Sequence, residues 1–159
     1  MKNKELVLYL IKNNLHITTC ESLTGGLVAS ALVDIAGSSS ILDEAYVTYA
    51  ASSKIGLVGV DSNIIDKYGV VSVEVAKEMA LKASLKAKSD LAISTTGVAG
   101  PSGGSENIPV GCVCFGFKIF DKVFTIRKIF NYNDRNKNRK AAVRFAINYM
   151  YKLLLEYYK

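Results

Sequence analysis

Histidine is nearly missing from this chain, which has a single one, His16, among 159 residues. A Ser-His-Asp relay would have to use it. It sits between a helical pattern and a strand pattern with nothing to mark it for chemistry, so it reads as structural. The same scarcity works against a metal enzyme. Cys112 and Cys114 alternate along one strand without histidine, cysteine or acidic partners at ligand spacing, and read as core residues. Three cysteines, an odd number, make no disulfide framework and fit a reducing cytoplasm. Long apolar runs are absent too, and none approaches the ~20 residues of a membrane helix. The opening "MKNKELVLYLIKNNLH" has polar residues spaced through it and no small-residue cleavage site, so it does not read as a signal peptide. No internal repeat or low-complexity linker interrupts the chain, and one domain spanning 1–159 is expected.

What is present alternates between two periods. Leu6, Val7, Leu10 and Ile11 fall at helical spacing over 4–14, followed by a short strand, "HITTC" (16–20). Leu27, Val28, Ala31, Leu32 and Ile35 predict a helix from Gly26 that stops at Gly37. "AYVTYA" (45–50) reads as a strand, with a helical piece from Ser53 and a brief turn capped at Asp61-Ser62 before Gly69. Val75, Ala76, Met79, Ala80 and Ala83 mark the buried stripe of a helix over 73–88. "LAIST" (91–95) lacks alternation, as a strand covered on both faces should. "VGCVCFGFKIF" and "KVFTIRKIF" predict a hairpin about Asp121. A last helix carries Val143, Ile147, Met150, Leu154 and Tyr157 on one face. This order predicts an α/β protein, a three-layer α/β/α sandwich whose sheet is mixed because of the hairpin.

Four polar loops separate these elements. "ESLTGG" (21–26) joins a strand to a helix, matching neither the Walker pattern nor Gly-x-Gly-x-x-Gly. It is either a cradle of helix-start amides or a tight turn in which Thr24 caps the helix. "GSSS" (37–40) reads as solvated turn. "TYAASSK" (48–54) sets Tyr49 near Lys54, two groups that can accept a proton from a serine if their pKa values are perturbed. "TTGVAGPSGGSENIPVG" (95–111) is a long glycine-rich loop whose amides can approach an anion. The formal charge of +6 is scattered except at "RNKNRK" (135–140), which reads as a solvated helix start, and nucleic acid is not an expected partner.

Taken together and in order, "ESLTGG", "DIAGSS", "YVTYAASSK", "YGVVSVEVAKEMA", the glycine-rich loop and "NDR" resemble the C-terminal domain of CinA, the competence/damage-inducible family. The likeness runs from about residue 5 to 155. Two positions depart from the family pattern, Leu23, often cysteine, and Asn133, usually glycine, while Thr96 stands where serine or threonine is expected. Larger family members carry an N-terminal domain that this chain does not show.

The resemblance implies an amidohydrolase that converts nicotinamide mononucleotide and water into nicotinate mononucleotide and ammonia, with no cofactor and no metal. It points to Ser39, Tyr49 and Lys54 as the reacting group, with Ser22 as the rival nucleophile. Thr24, Gly25, Thr96, Gly97 and Gly100 are expected to hold the oxyanion or the substrate. Arg135 and Arg139 are the expected clamp for the 5′-phosphate. A non-catalytic nucleotide-binding or competence-related partner module is the alternative. The apolar last helix and the hairpin offer a surface for a homodimer.

Overall fold

The computed structural model describes residues 1–158. Its elements, in chain order, are helix α1 (Asn3–Asn13), strand β1 (Ile17–Glu21), helix α2 (Leu27–Val33), strand β2 (Ala45–Val47) and the short turn α3 (Ala51–Ser53). A π-helical turn (Lys54–Val58), α4 (Ser62–Tyr68), α5 (Val73–Ala87), β3 (Leu91–Gly97), β4 (Cys112–Ile119), β5 (Lys122–Ile129) and α6 (Arg135–Tyr157) follow.

The five strands form one mixed sheet in the order β2-β1-β3-β4-β5. β1 runs parallel to β2 and β3, whereas β4 and β5 are antiparallel additions through the hairpin. Helices α1, α2 and α6 pack on one face and α5, backed by α4, on the other. The expected three-layer sandwich is therefore the observed one. The two layers differ in thickness. Large side chains, among them Ile17, Ile93, Phe115, Phe117, Ile147 and Met150, fill the α1/α2/α6 side. On the other side Ala76, Ala80 and Ala83 bring α5 close to the strands. A Cβ on Gly116 would lie 2.3 Å from the Ala76 carbonyl oxygen, so this position needs a residue without one.

Several boundaries differ from the expectation. The helix expected over 26–37 ends at Val33, and Ser38–Ser40 form a separate 3₁₀ turn. The strand read at 45–50 pairs only over Ala45–Val47, because the chain then bends toward the site. Helix α6, by contrast, begins at Arg135, within the stretch read as a helix start, where the Asp134 carboxylate accepts from the Lys137 N–H at 2.8 Å. Tyr157 does not join the buried face with Leu154; it is exposed and packs on Phe124. His16 pairs at the surface with Asp43, Nδ1 to Oδ2 2.8 Å.

Candidate active site

The C-terminal ends of β1 and β3, the ends of strands at which parallel α/β sheets carry their ligands, open into a cavity of about 280 Å³. Ser22, Tyr49, Thr96, Gly97, Gly100 and Arg135 line it, together with Leu23 and Val70. Its floor is the turn between β1 and α2.

That turn is held from behind by a carboxylate. Helix α2 starts after Gly26, which offers no side-chain cap, so its first amides need another acceptor. Glu21, fully buried as the last residue of β1, supplies it. Its oxygens accept from the N–H of Val28 (2.8 Å) and Ala29 (3.1 Å) and from the hydroxyls of Thr24 (2.7 Å) and Thr19 (3.0 Å). The helix start thus attracts an anion from inside the protein. Thr24, a candidate cap and substrate contact, does not cap α2 and does not line the cavity: its buried hydroxyl meets Glu21 and, at 2.8 Å, Thr95, behind the turn. Gly25 follows with φ +56°, a left-handed conformation that favours glycine.

Arg139 secures the same turn from the α6 side. Its Nε donates to the Leu23 carbonyl at 2.7 Å and its Nη2 to the Thr24 carbonyl at 3.3 Å. Arg139 and Gly25 therefore lie outside the cavity wall, and only Arg135 reaches it. Arg135 donates to the Gly100 carbonyl at 2.6 Å and to the Tyr49 hydroxyl at 3.1 Å. Its guanidinium has no carboxylate partner among the described residues.

Ser22 is buried, and its neighbour is Lys54. Lys54, 0% exposed, sits at the start of the π-helical turn and points back under the strands. Its Nζ donates to the Thr48 carbonyl at 2.7 Å and to Ser22 Oγ at 3.3 Å. No carboxylate among the described residues pairs with it, and burial pushes its pKa below the ordinary lysine value. A buried lysine without an anion favours the neutral amine, which is a base. A serine hydroxyl within reach of it has somewhere to send its proton.

The predicted residues therefore divide. Ser22, Tyr49, Thr96, Gly97, Gly100 and Arg135 converge on one cavity, with Lys54 beneath Ser22. Ser39 does not join them. It is exposed in the 3₁₀ turn beyond α2, next to Ile41, whose carbonyl receives the N–H of Ile17 at the opposite end of β1. Helix α2 carries the chain from one end of the sheet to the other, and no fold-back returns it. Tyr49 meets Ser22 through its backbone carbonyl (3.4 Å), while its phenol, 62% exposed, serves Arg135 instead. Thr96 lines the wall with its hydroxyl committed to the Val70 carbonyl at 2.9 Å.

Glu21 and Asn138 were missed in the sequence. Asn138 is buried and joins the Ala99 carbonyl (3.0 Å) to the Tyr132 N–H (3.2 Å), tying the glycine-rich loop to α6. The only advance sign of Glu21 was a charged residue closing a strand with no polar alternation. Asn138 gave none, being one polar residue among many in "RNKNRK".

Known proteins resemble this chain in sequence and fold. The nicotinamide-nucleotide amidohydrolase PncC of Enterobacter agglomerans is 45% identical over 132 residues, 82% of this chain and 80% of that one. A CinA-like protein of Kosmotoga olearia is 40% identical over 153 residues. The chain spans only 36–37% of the length of that protein and of the other curated relatives it matches first. Among solved structures, a competence-damaged protein (CinA) superfamily member from Escherichia coli superposes with a TM-score of 0.92 at 34% identity, covering 96% of this chain and 88% of that one. The competence/damage inducible protein CihA from Agrobacterium tumefaciens gives 0.89 at 35% identity, over 96% of both chains. The family profile of the CinA C-terminal domain matches residues 2–154. With that match covering nearly its whole length, this chain belongs to the CinA C-terminal domain family.

Proposed function

We propose that the chain is a nicotinamide-nucleotide amidohydrolase, hydrolysing the carboxamide of nicotinamide mononucleotide with Ser22 as nucleophile and Lys54 as general base. The observation that carries this reading is the 3.3 Å contact between Ser22 Oγ and the buried, carboxylate-free Lys54 amine on the floor of a cavity. The likeness to PncC supplies the substrate class.

In this mechanism neutral Lys54 removes the Ser22 hydroxyl proton as Oγ attacks the carboxamide carbon. The tetrahedral oxyanion needs a donor. The N–H of Leu23, the residue after the nucleophile, has no acceptor among the described residues and is the natural candidate. Lys54 returns the proton to the leaving nitrogen, which departs as ammonia and leaves a nicotinoyl ester on Ser22. Water then gives a proton to Lys54 and attacks the ester carbon. The C–O bond to Ser22 breaks, Ser22 recovers its proton from Lys54, and the carboxylate product leaves. Arg135, already beside the cavity with no carboxylate partner, takes the 5′-phosphate. Tyr49 steadies that guanidinium.

The decisive measurement is ammonia release from nicotinamide mononucleotide, which should survive exhaustive chelation because no step requires a metal. Mass spectrometry of the quenched enzyme should find the nicotinoyl adduct on the peptide containing Ser22. Turnover without that adduct, and unchanged in Ser22→Ala, would remove the mechanism. No release of ammonia from any nicotinamide nucleotide would remove the function.

A further inference from the structure

A second cavity, larger than the first at about 510 Å³, opens between the end of β5 and the outer face of α6. Four cations converge on it: Lys128 from β5, and Lys137, Lys140 and Arg144 from α6. The helix residues are spaced i, i+3 and i+7, so they share one face. Arg135 and Arg139 lie on the opposite side of the helix, toward the catalytic cavity. None of the four makes an ion pair among the described residues, and no aspartate or glutamate lines the cavity. Phe130 and Phe145 contribute apolar walls, and the Lys128 ammonium lies 4.5 Å from the centre of the Phe145 ring. Tyr132, 51% exposed, presents a ring at the mouth.

Four like charges held around one concavity repel each other, and nothing in the described protein neutralises them. The geometry points to a binding site for a nucleoside diphosphate, separate from the catalytic cavity, with the phosphates among Lys128, Lys137, Lys140 and Arg144 and the base against Tyr132. The volume suits a compact ligand of that size. Lysine and arginine around a concavity are the donors phosphate calls for, and a flat base stacks on an exposed aromatic ring. A compact anion fits better than a nucleic-acid strand, because carboxylates bound the basic zone. Asp134 caps α6 at one end, Asp34 sits in the neighbouring cavity beside Lys140 and Arg144, and Glu156 lies beyond Asn148. A polyanion tracking along α6 would meet them. The inference does not depend on the amidohydrolase reading.

The test is titration of the full chain with ADP, inorganic pyrophosphate and adenosine, followed by calorimetry and by backbone amide shifts. ADP should bind both the unaltered chain and Arg135→Ala, and should shift amides within 128–148 on the β5 and outer α6 surfaces. The double substitution Lys140→Glu with Arg144→Glu should weaken ADP at least tenfold. Tyr132→Ala should weaken ADP more than pyrophosphate, and adenosine alone should bind far more weakly than ADP. Retained ADP affinity in the double variant would overturn the site. So would loss of ADP binding in Arg135→Ala, shifts confined to residues 22–23 and 97–103, or a single-stranded oligonucleotide that ADP cannot displace. If the double variant does not fold, the amide shifts on the unaltered chain decide alone.

Discussion

The turn that leads into helix α2 and the turn that leaves it both combine serine with glycine, and the sequence reading favours Ser39 in the second over Ser22 in the first. In the first, Ser22 is buried, its hydroxyl lies 3.3 Å from a desolvated amine, and the turn that follows it is fixed from two sides by Glu21 and Arg139. In the second, Ser39 is exposed, and its neighbour Ser40 bonds only back to Gly37 within the same turn. A hydroxyl becomes a nucleophile through what accepts its proton and what excludes water, not through its own chemistry. One end of α2 supplies both. The other supplies neither.

Exchanging the two turns' serines for alanine breaks the comparison most directly. Ser22→Ala is expected to lower kcat by about 10³-fold or more, a loss of roughly 4 kcal/mol in transition-state stabilisation, with nucleotide binding still measurable. Ser39→Ala should stay within about twofold, as exposed serines generally do. Steady-state ammonia release on both variants checks this. The reverse result would make the exposed turn the seat of reaction and leave Lys54 without a purpose.

Lys54→Met sharpens the contrast, since it keeps the buried volume and removes the base. Activity should fall by a factor comparable to Ser22→Ala while the fold persists. The pH dependence follows from the direction of the Lys54 shift. Its pKa in the folded protein lies below the ordinary 10.5, so the unfolded state binds the proton more tightly. The burial penalty is then complete below the folded pKa and disappears as pH rises toward 10.5. Lys54→Met should therefore be more stable than the unaltered protein at neutral pH, with the gap closing as pH rises. Denaturant melts at several pH values measure it. For the unaltered enzyme, kcat/KM should fall on the acid side with an apparent pKa under the ordinary lysine value.

Glu21→Ala probes the frame rather than the reacting atoms. Four donors lose their acceptor, two of them buried hydroxyls, and unfolding free energy should drop by about 3 kcal/mol. A loss under about 0.5 kcal/mol would mean the turn is held by Arg139 alone. Among the substitutions expected to impair the protein, the mildest is Arg135→Ala. It should raise KM for nicotinamide mononucleotide by about tenfold, or roughly 1.4 kcal/mol, and leave nicotinamide riboside nearly unchanged. Equal effects on both substrates would remove Arg135 from the phosphate subsite.

Much of the fold was legible in the chain because its signals are local. The apolar stripe of α5, the unalternating run of β3 and the hairpin of β4 and β5 each follow from a period that packing did not override. Half of the residues lining the cavity were named in advance for a related reason: glycine-rich and serine-rich loops at strand ends announce themselves. What failed were statements about proximity. Tyr49 and Lys54, five residues apart, read as partners, yet the chain bends between them, so the phenol meets Arg135 from α6 and the amine meets Ser22 from β1. Thr24 read as a cap, and the cap came from Glu21 across the turn.

The sequence by itself determined the order of the elements, the three-layer class and the pool of polar residues from which a site is made, because periodicity and turn chemistry act over a few residues. The tertiary structure alone decided which serine lies over the lysine, and that the lysine is buried without an anion. Both depend on contacts between residues as far apart as 22 and 54, or 24 and 139, set by where helices α2 and α6 cross the ends of the sheet. A lysine's basicity is likewise not written in its neighbours along the chain, since it follows from the water that the folded protein excludes around it.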